Sequence, residues 1–329
     1  MSLAGTLAVG VYTSAIGARV STTGPTPLPP PPPAVAVLGA GLMGAQIGVE
    51  YALGGCEVSF LARERTRAEP RVEQALGLAR AHGLVDEDAL ARAREAINWE
   101  EREPELIVES LPEDLELKAS VLGPIAGRHP GATVATNTSS ISIGALGEAA
   151  AIAERIVGTH YWNPPLLMPL VEIVAGPETP LALRDRTIEL LRAIGKRPVV
   201  LEREVDGLLW NRLQLAVLRE SLWLVEQGIA TPETVDQVMR DGLARRWRLT
   251  GPFETVGLGG AATFDAIAAN LFPVLSDAKS GNGFGPYVPS DPALLGELRE
   301  RRDDALAAEL RAERREEHAA ERDPTEPES

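Results

Sequence analysis

Ala34-Val35-Ala36-Val37-Leu38 is an unbroken apolar run that leads straight into Gly39-Ala40-Gly41-Leu42-Met43-Gly44. A short Val-rich run of this kind reads as a buried strand, and the residues after Gly44 read as a helix. Between the two, the G-x-G-x-x-G spacing gives each glycine a task. Gly39 permits the tight turn, Gly41 lets a pyrophosphate approach the backbone, and Gly44 lets helix and strand pack closely. The free N–H groups and the dipole of the helix start would then face the phosphates. Glycine triplets also occur in plain packing turns. The position of this one, between a strand and a helix where the folded region begins, points to a dinucleotide.

The alternation continues down the chain. Glu57–Leu61 reads as a strand, Glu64–Glu95 as a charged helical stretch, Leu106–Glu109 as a strand, Leu115 as the start of a helix and Thr133–Thr136 as a strand. Strands alternating with helices give parallel β-α-β construction. After Arg203 the strands stop. Leu208–Glu226 carries apolar residues at helical spacing, Thr231-Pro232 has the form of an N-cap followed by proline at the first helical position, and Gly242 is expected to end that helix. The expected organisation is α/β. A disordered Pro-rich leader (1–33) precedes a Rossmann-type doubly wound domain (34–203), which is followed by an all-helical substrate and dimerisation domain (204–312) and a charged, frayed tail (313–329). The leader has no acidic residue, no basic residue before Arg19, and ends in the run Pro29–Pro33. Its apolar residues are broken by Gly, Thr and Ser, so a secretory signal is disfavoured and a cytoplasmic location is expected. No apolar stretch is long enough to span a bilayer, and no membrane partner is expected.

Composition removes several function classes. With 32 Lys+Arg against 47 Asp+Glu, the net charge of −15 would repel a phosphate backbone, so no nucleic-acid partner is expected. One cysteine and four histidines provide neither a thiolate cluster nor a histidine-rich site, and no metal is expected. The positive charge is almost all arginine; lysine occurs only at Lys118, Lys196 and Lys279.

The most informative stretch is Gly158-Thr159-His160-Tyr161-Trp162-Asn163-Pro164-Pro165, continuing to Pro169-Leu170-Val171-Glu172-Ile173. His160 ends a β-like run, Asn163-Pro164-Pro165 is a turn signal, and Glu172 is embedded in a second apolar run. A carboxylate amid Leu, Val and Ile is costly to bury without a partner. A reversal at the prolines would bring His160 and Glu172 together as a base and its orienting carboxylate. Spacing alone does not reject a surface histidine and an edge-strand glutamate.

Taken together, these segments resemble the 3-hydroxyacyl-CoA dehydrogenase family. The resemblance runs from Val35 to about Leu310. It is carried by the glycine turn, by Glu113 and Lys118 within Leu111–Lys118, by Asn137-Thr138-Ser139-Ser140, by the His160–Glu172 block, and by Asp206-Gly207 through Asn211-Arg212-Leu213. Asn163-Pro164-Pro165, Pro169-Leu170-Val171-Glu172 and Asp241-Gly242-Leu243 lean towards the lambda-crystallin and L-gulonate 3-dehydrogenase branch. The resemblance implies His160 as catalytic base with Glu172 as its partner, and Ser139 and Asn211 on the substrate oxygen. It also implies Asn163 and Arg246 at the substrate, and Leu42, Met43, Glu113, Lys118 and Asn137 beside the dinucleotide. It further implies a 3-hydroxyacyl-CoA or small 3-hydroxy acid substrate, a homodimer, and, as the alternative, a crystallin-like protein without turnover. Arg246 reads equally well as an arginine at a helix C-terminus.

One departure from the family stands out. Its acidic residue after the second strand is Ala62 here, followed by Arg63-Glu64-Arg65. Losing that carboxylate removes what would repel a 2′-phosphate, and Arg63 and Arg65 are placed to bind one; alternatively Glu64 replaces the acid. The cofactor is therefore expected to be NAD or NADP.

Overall fold

The computed structural model describes residues 33–275 and 288–322, with side chains described as far as 315. The expected leader, apart from Pro33, and the last residues of the tail lie outside the described residues.

β1 (Val35–Leu38) is buried along its whole length, and its alternate residues serve two different cores. Val35 and Val37 face one apolar cluster, and Ala36 and Leu38 face the other. A strand covered on both faces needs an unbroken apolar run, which is what the sequence supplies. The chain then builds α1 (Leu42–Leu53), β2 (Val58–Leu61), α2 (Arg65–Ala81), α3 (Glu87–Ala96), β3 (Ile97–Asn98), β4 (Leu106–Glu109) and α4 (Leu115–Arg128). β5 (Thr133–Thr136), α5 (Ile143–Ala149), β6 (Ile156–Tyr161), β7 (Leu170–Ala175), α6 (Leu181–Ala193) and β8 (Arg197–Val200) follow. The eight strands form one sheet in the order β3-β2-β1-β4-β5-β6-β7-β8. All neighbours are parallel except β6 and β7, whose short Pro-rich connection turns the chain straight back. This is the Rossmann-type doubly wound architecture. The charged stretch from Glu64 to Glu95 is two helices, because Gly83 takes φ +58 and Asp86 caps α3 by accepting from the Ala89 N–H at 2.7 Å.

The remaining described elements are helical: α7 (Leu208–Glu226), α8 (Pro232–Val238), α9 (Ala244–Trp247), α10 (Pro252–Gly259), α11 (Ala261–Leu271) and α12 (Pro292–Arg322). Thr231 caps α8 by accepting from the Thr234 N–H at 3.2 Å. Gly242 does not end that helix. It lies in a π-helical turn, Met239–Leu243, that passes directly into α9. A glycine stops a helix by taking the left-handed conformation, and Gly242 is not among the glycines with positive φ. Between Leu208 and Leu275 only Leu208 and Thr255 are buried, whereas Leu213, Leu249, Phe253 and Leu258 are exposed.

α12 continues to Arg322, past the fraying expected beyond Glu313, and residues up to Arg314 in its second half dock on the sheet domain. Ala307 and Leu310 are buried, Arg311 donates to the His82 carbonyl, Arg314 Nη1 donates to the Leu84 carbonyl at 3.2 Å, and Glu313 pairs with Arg197 at 2.9 Å. Among the described residues no helix is long and apolar enough to cross a membrane.

Candidate active site

A cleft of about 870 Å³ crosses the carboxyl ends of β2, β1, β4, β5 and β6. This edge is where a doubly wound sheet takes its ligands. Gly39, Gly41, Leu42, Met43, Ala62, Arg63, Asn137, Ser139 and His160 all line it. Gly44, Glu113, Lys118, Glu172, Asn163, Asn211 and Arg246 are not among its lining residues.

The three glycines separate into two kinds. Gly39 has φ +92, and a Cβ there would lie 2.6 Å from the Ser110 carbonyl oxygen. A Cβ on Gly44 would lie 1.8 Å from the carbonyl oxygen of Gly39. Both serve the fold. A Cβ on Gly41 would meet nothing within 4 Å, so its missing side chain leaves the mouth of the turn open. That open cradle, at the start of α1, fits a dinucleotide pyrophosphate.

At the other end, His160 and Glu172 are directly opposed partners across the β6–β7 ladder. His160 Nδ1 lies 2.6 Å from Glu172 Oε2. The other oxygen, Oε1, accepts from the N–H groups of Leu209 at 3.0 Å and Trp210 at 2.8 Å. These donors belong to the first turn of α7. Gly207 (φ +78) and Leu208 (φ +52) aim them at the carboxylate, and Leu208 is a non-glycine residue in the left-handed region. Trp210 stacks on Trp162, with ring centroids 3.8 Å apart. A carboxylate only accepts, so Nδ1 carries the proton and the free nitrogen of His160 is Nε2.

A buried network supports the strand ends between the two. Glu109 accepts from Lys118 Nζ at 2.6 Å, from the Leu111 N–H at 2.5 Å and from the Thr136 hydroxyl at 2.6 Å. Lys118 also lies 3.3 Å from Glu113 and donates to the Leu111 carbonyl at 3.1 Å. Glu113 in turn gathers the turn after β5, accepting from the Ser139 and Ser140 N–H groups at 2.9 and 2.7 Å and from the Thr138 hydroxyl at 2.6 Å. Burial pushes the Glu113 carboxyl up, but the Thr138 hydroxyl, the Ser140 N–H and the Lys118 ammonium outweigh it and hold the group at about 2. Glu113 and Lys118 therefore brace the loop that carries Ser139. Asn137 Oδ1 accepts from the Tyr161 N–H at 2.8 Å, tying β5 to β6, and Asn211 Nδ2 donates to the Ser139 carbonyl at 3.4 Å.

Asn163 is exposed and precedes a cis peptide to Pro164. The turn it begins is held by Lys196, which donates to the carbonyls of Pro165 at 2.7 Å and Met168 at 2.8 Å and pairs with the buried Glu50 at 2.5 Å. Sequence reasoning missed Lys196, although its rarity in this chain was a signal. Arg246 lines a separate recess of about 450 Å³ beside Leu249, Leu258 and Phe264.

At the end of β2, Arg65 turns from the cleft to pair with Glu69 at 3.2 Å, its guanidinium 5.2 Å from the Trp99 ring centroid. Arg67 and Arg71, which sequence reasoning did not single out, line the cleft instead.

Comparison with known proteins agrees with this architecture. Residues 34–205 match the family model for the 3-hydroxyacyl-CoA dehydrogenase NAD-binding domain, and residues 207–286 match the model for its C-terminal domain. The chain is 32% identical to lambda-crystallin of Oryctolagus cuniculus over 299 residues, covering 83% of this chain and 93% of that one. It is 35% identical to L-carnitine dehydrogenase of Oceanobacillus iheyensis over 280 residues, covering 81% and 87%. Among solved structures, the NAD-dependent 5-formyl-3-hydroxy-2-methylpyridine 4-carboxylic acid 5-dehydrogenase superposes with a TM-score of 0.76 at 26% identity, covering 85% of this chain and 97% of that one.

Proposed function

The chain belongs to the 3-hydroxyacyl-CoA dehydrogenase family, and from that premise we propose that it interconverts a 3-hydroxy compound and its 3-oxo form. The observation that carries this reading is the His160–Glu172 bond of 2.6 Å at one end of a cleft that the glycine turn also lines. Glu172 fixes the imidazole tautomer, leaving His160 Nε2 as the acceptor for the substrate hydroxyl proton. Ser139, on the cleft wall, and Asn211, bonded to its carbonyl, are assigned to the substrate oxygen. Gly41 and the N–H groups that open α1 would hold the pyrophosphate of the dinucleotide, with Leu42, Met43, Ala62, Arg63 and Asn137 along its length. When bound, a nicotinamide dinucleotide accepts the hydride that leaves C3 in the oxidative direction. His160 takes the hydroxyl proton in the same conversion, and in the reductive direction the imidazolium returns it.

For the substrate we favour a small 3-hydroxy acid over an acyl-CoA. L-carnitine and pyridine-carboxylate dehydrogenases stand among the relatives, although a 3-hydroxybutyryl-CoA dehydrogenase from Escherichia coli K12 also superposes, with a TM-score of 0.59. Arg246, which lines its own recess, is proposed to anchor the free carboxylate. Two copies are proposed to pair through the apolar helix faces left exposed between Leu208 and Leu275. The test is cofactor turnover on a panel of free 3-hydroxy acids and their CoA thioesters, beside a dinucleotide titration. Turnover of a free acid supports the reading, turnover confined to thioesters overturns the substrate class, and binding without turnover on any substrate favours a crystallin-like role.

A further inference from the structure

Beyond the carboxyl end of β2 the cleft is walled by Ala62, Arg63, Glu64, Arg67 and Arg71. In a doubly wound fold, a carboxylate at the Ala62 position accepts hydrogen bonds from the adenosine ribose hydroxyls and repels a phosphate on the 2′ oxygen. A methyl group does neither. Arg67 and Arg71 lie one turn apart on the same face of α2, and Arg63, just before its cap, lines the same cleft. Arg71 Nη1 reaches the Ala40 carbonyl at 3.4 Å, which ties this basic side to the glycine turn. Arg63 is only loosely held, with its side chain 93% exposed and the nearest Glu64 oxygen at 4.0 Å. Glu64, the one carboxylate on this wall, is engaged by Arg67 at 2.8 Å.

Three cations against one carboxylate is a local reversal in a chain of net charge −15. We infer that this wall is a 2′-phosphate site and that the protein selects NADP over NAD. The inference rests on the dehydrogenase reading for the presence of a dinucleotide, and on these residues for its kind. A phosphate monoester brings roughly −1.5 to −2 charges at neutral pH and three acceptor oxygens, and guanidinium groups meet such an acceptor with paired, charge-assisted bonds. Glu64 opposes this by competing for Arg67.

The experiment is a calorimetric titration of the purified full chain with NAD⁺, NADP⁺, ADP and adenosine 2′,5′-bisphosphate. NADP⁺ is expected to bind at least about tenfold more tightly than NAD⁺, and the bisphosphate more tightly than ADP, with both advantages shrinking as salt screens the contact. Ala62→Asp is expected to reverse the preference. Arg63→Ala combined with Arg67→Ala should weaken NADP⁺ about tenfold or more while weakening NAD⁺ far less, and Glu64→Gln should strengthen NADP⁺. Circular dichroism melting confirms that each variant is folded. Equal or tighter binding of NAD⁺, with a ratio that the variants leave unmoved, overturns the phosphate site and leaves the dehydrogenase reading standing. Binding of neither dinucleotide overturns both.

Discussion

His160, in its proposed role as base, depends on a chain of supports. The imidazole is held by one bond, and the carboxylate that holds it is itself fixed by two main-chain donors. His160→Gln is expected to lower turnover by about 10²–10⁴-fold while leaving dinucleotide affinity close to wild type. Steady-state kinetics beside a binding titration checks this, and near wild-type activity would remove His160 from its assigned role. Glu113 gives a pH prediction. Its carboxyl is held at about 2, below its ordinary value of 4.5, so its stabilising effect is complete above about pH 4.5 and is lost as pH falls towards 2. The Tm gap between wild type and Glu113→Gln should therefore hold steady above about pH 5 and close on acidification. A gap that widens in acid would contradict the depressed carboxyl. The two residues could be picked out in sequence because an embedded carboxylate and a strand-ending histidine flank a turn, but spacing did not decide that they pair. The supports of Glu172 could not be picked out, because Leu209 and Trp210 contribute only their N–H groups, and a main-chain donor has no side-chain signature.

Among the elements, the glycine turn separates fold from ligand. Gly44→Ala drives a methyl into the Gly39 carbonyl and is expected to cost at least about 3 kcal/mol, the top of the overpacking range. Gly41→Ala meets no neighbour within 4 Å, so its Tm should stay near wild type while dinucleotide affinity falls. Thermal melts and titrations on the two variants distinguish these outcomes, and equal destabilisation by both would refute the division. β4, β5 and α7 were legible to the residue and β1 to within one residue, because unbroken apolar runs and helical spacing leave few alternatives. The split between α2 and α3 was hidden by a continuous charged stretch, and Gly242 misled because composition does not report φ. β3, with two residues, and β8, with Arg197, Val199 and Val200 exposed, are too short or too open to leave an apolar pattern.

At the scale of the whole molecule, the sheet domain closes its own cores while the helices from Leu208 to Leu275 do not. Light scattering is expected to give twice the 35.1 kDa chain mass, and Leu213→Asp with Leu249→Asp should shift the protein towards monomer. A wild-type monomer at micromolar concentration would overturn the pairing. The exposure of these helix faces was not legible in sequence, since an apolar stripe looks the same whether it meets its own chain or solvent. The bond from α7 to Glu172 also reaches beyond the residue it orients. In the proposed mechanism the carboxylate is both the partner of the base and a point at which the helical region is tied to the sheet. Any swing that lifts Leu209 and Trp210 away strips two donors from Glu172 and frees it to abandon the imidazole. The orientation of the proposed base and the seating of α7 are therefore coupled, since one carboxylate serves both contacts.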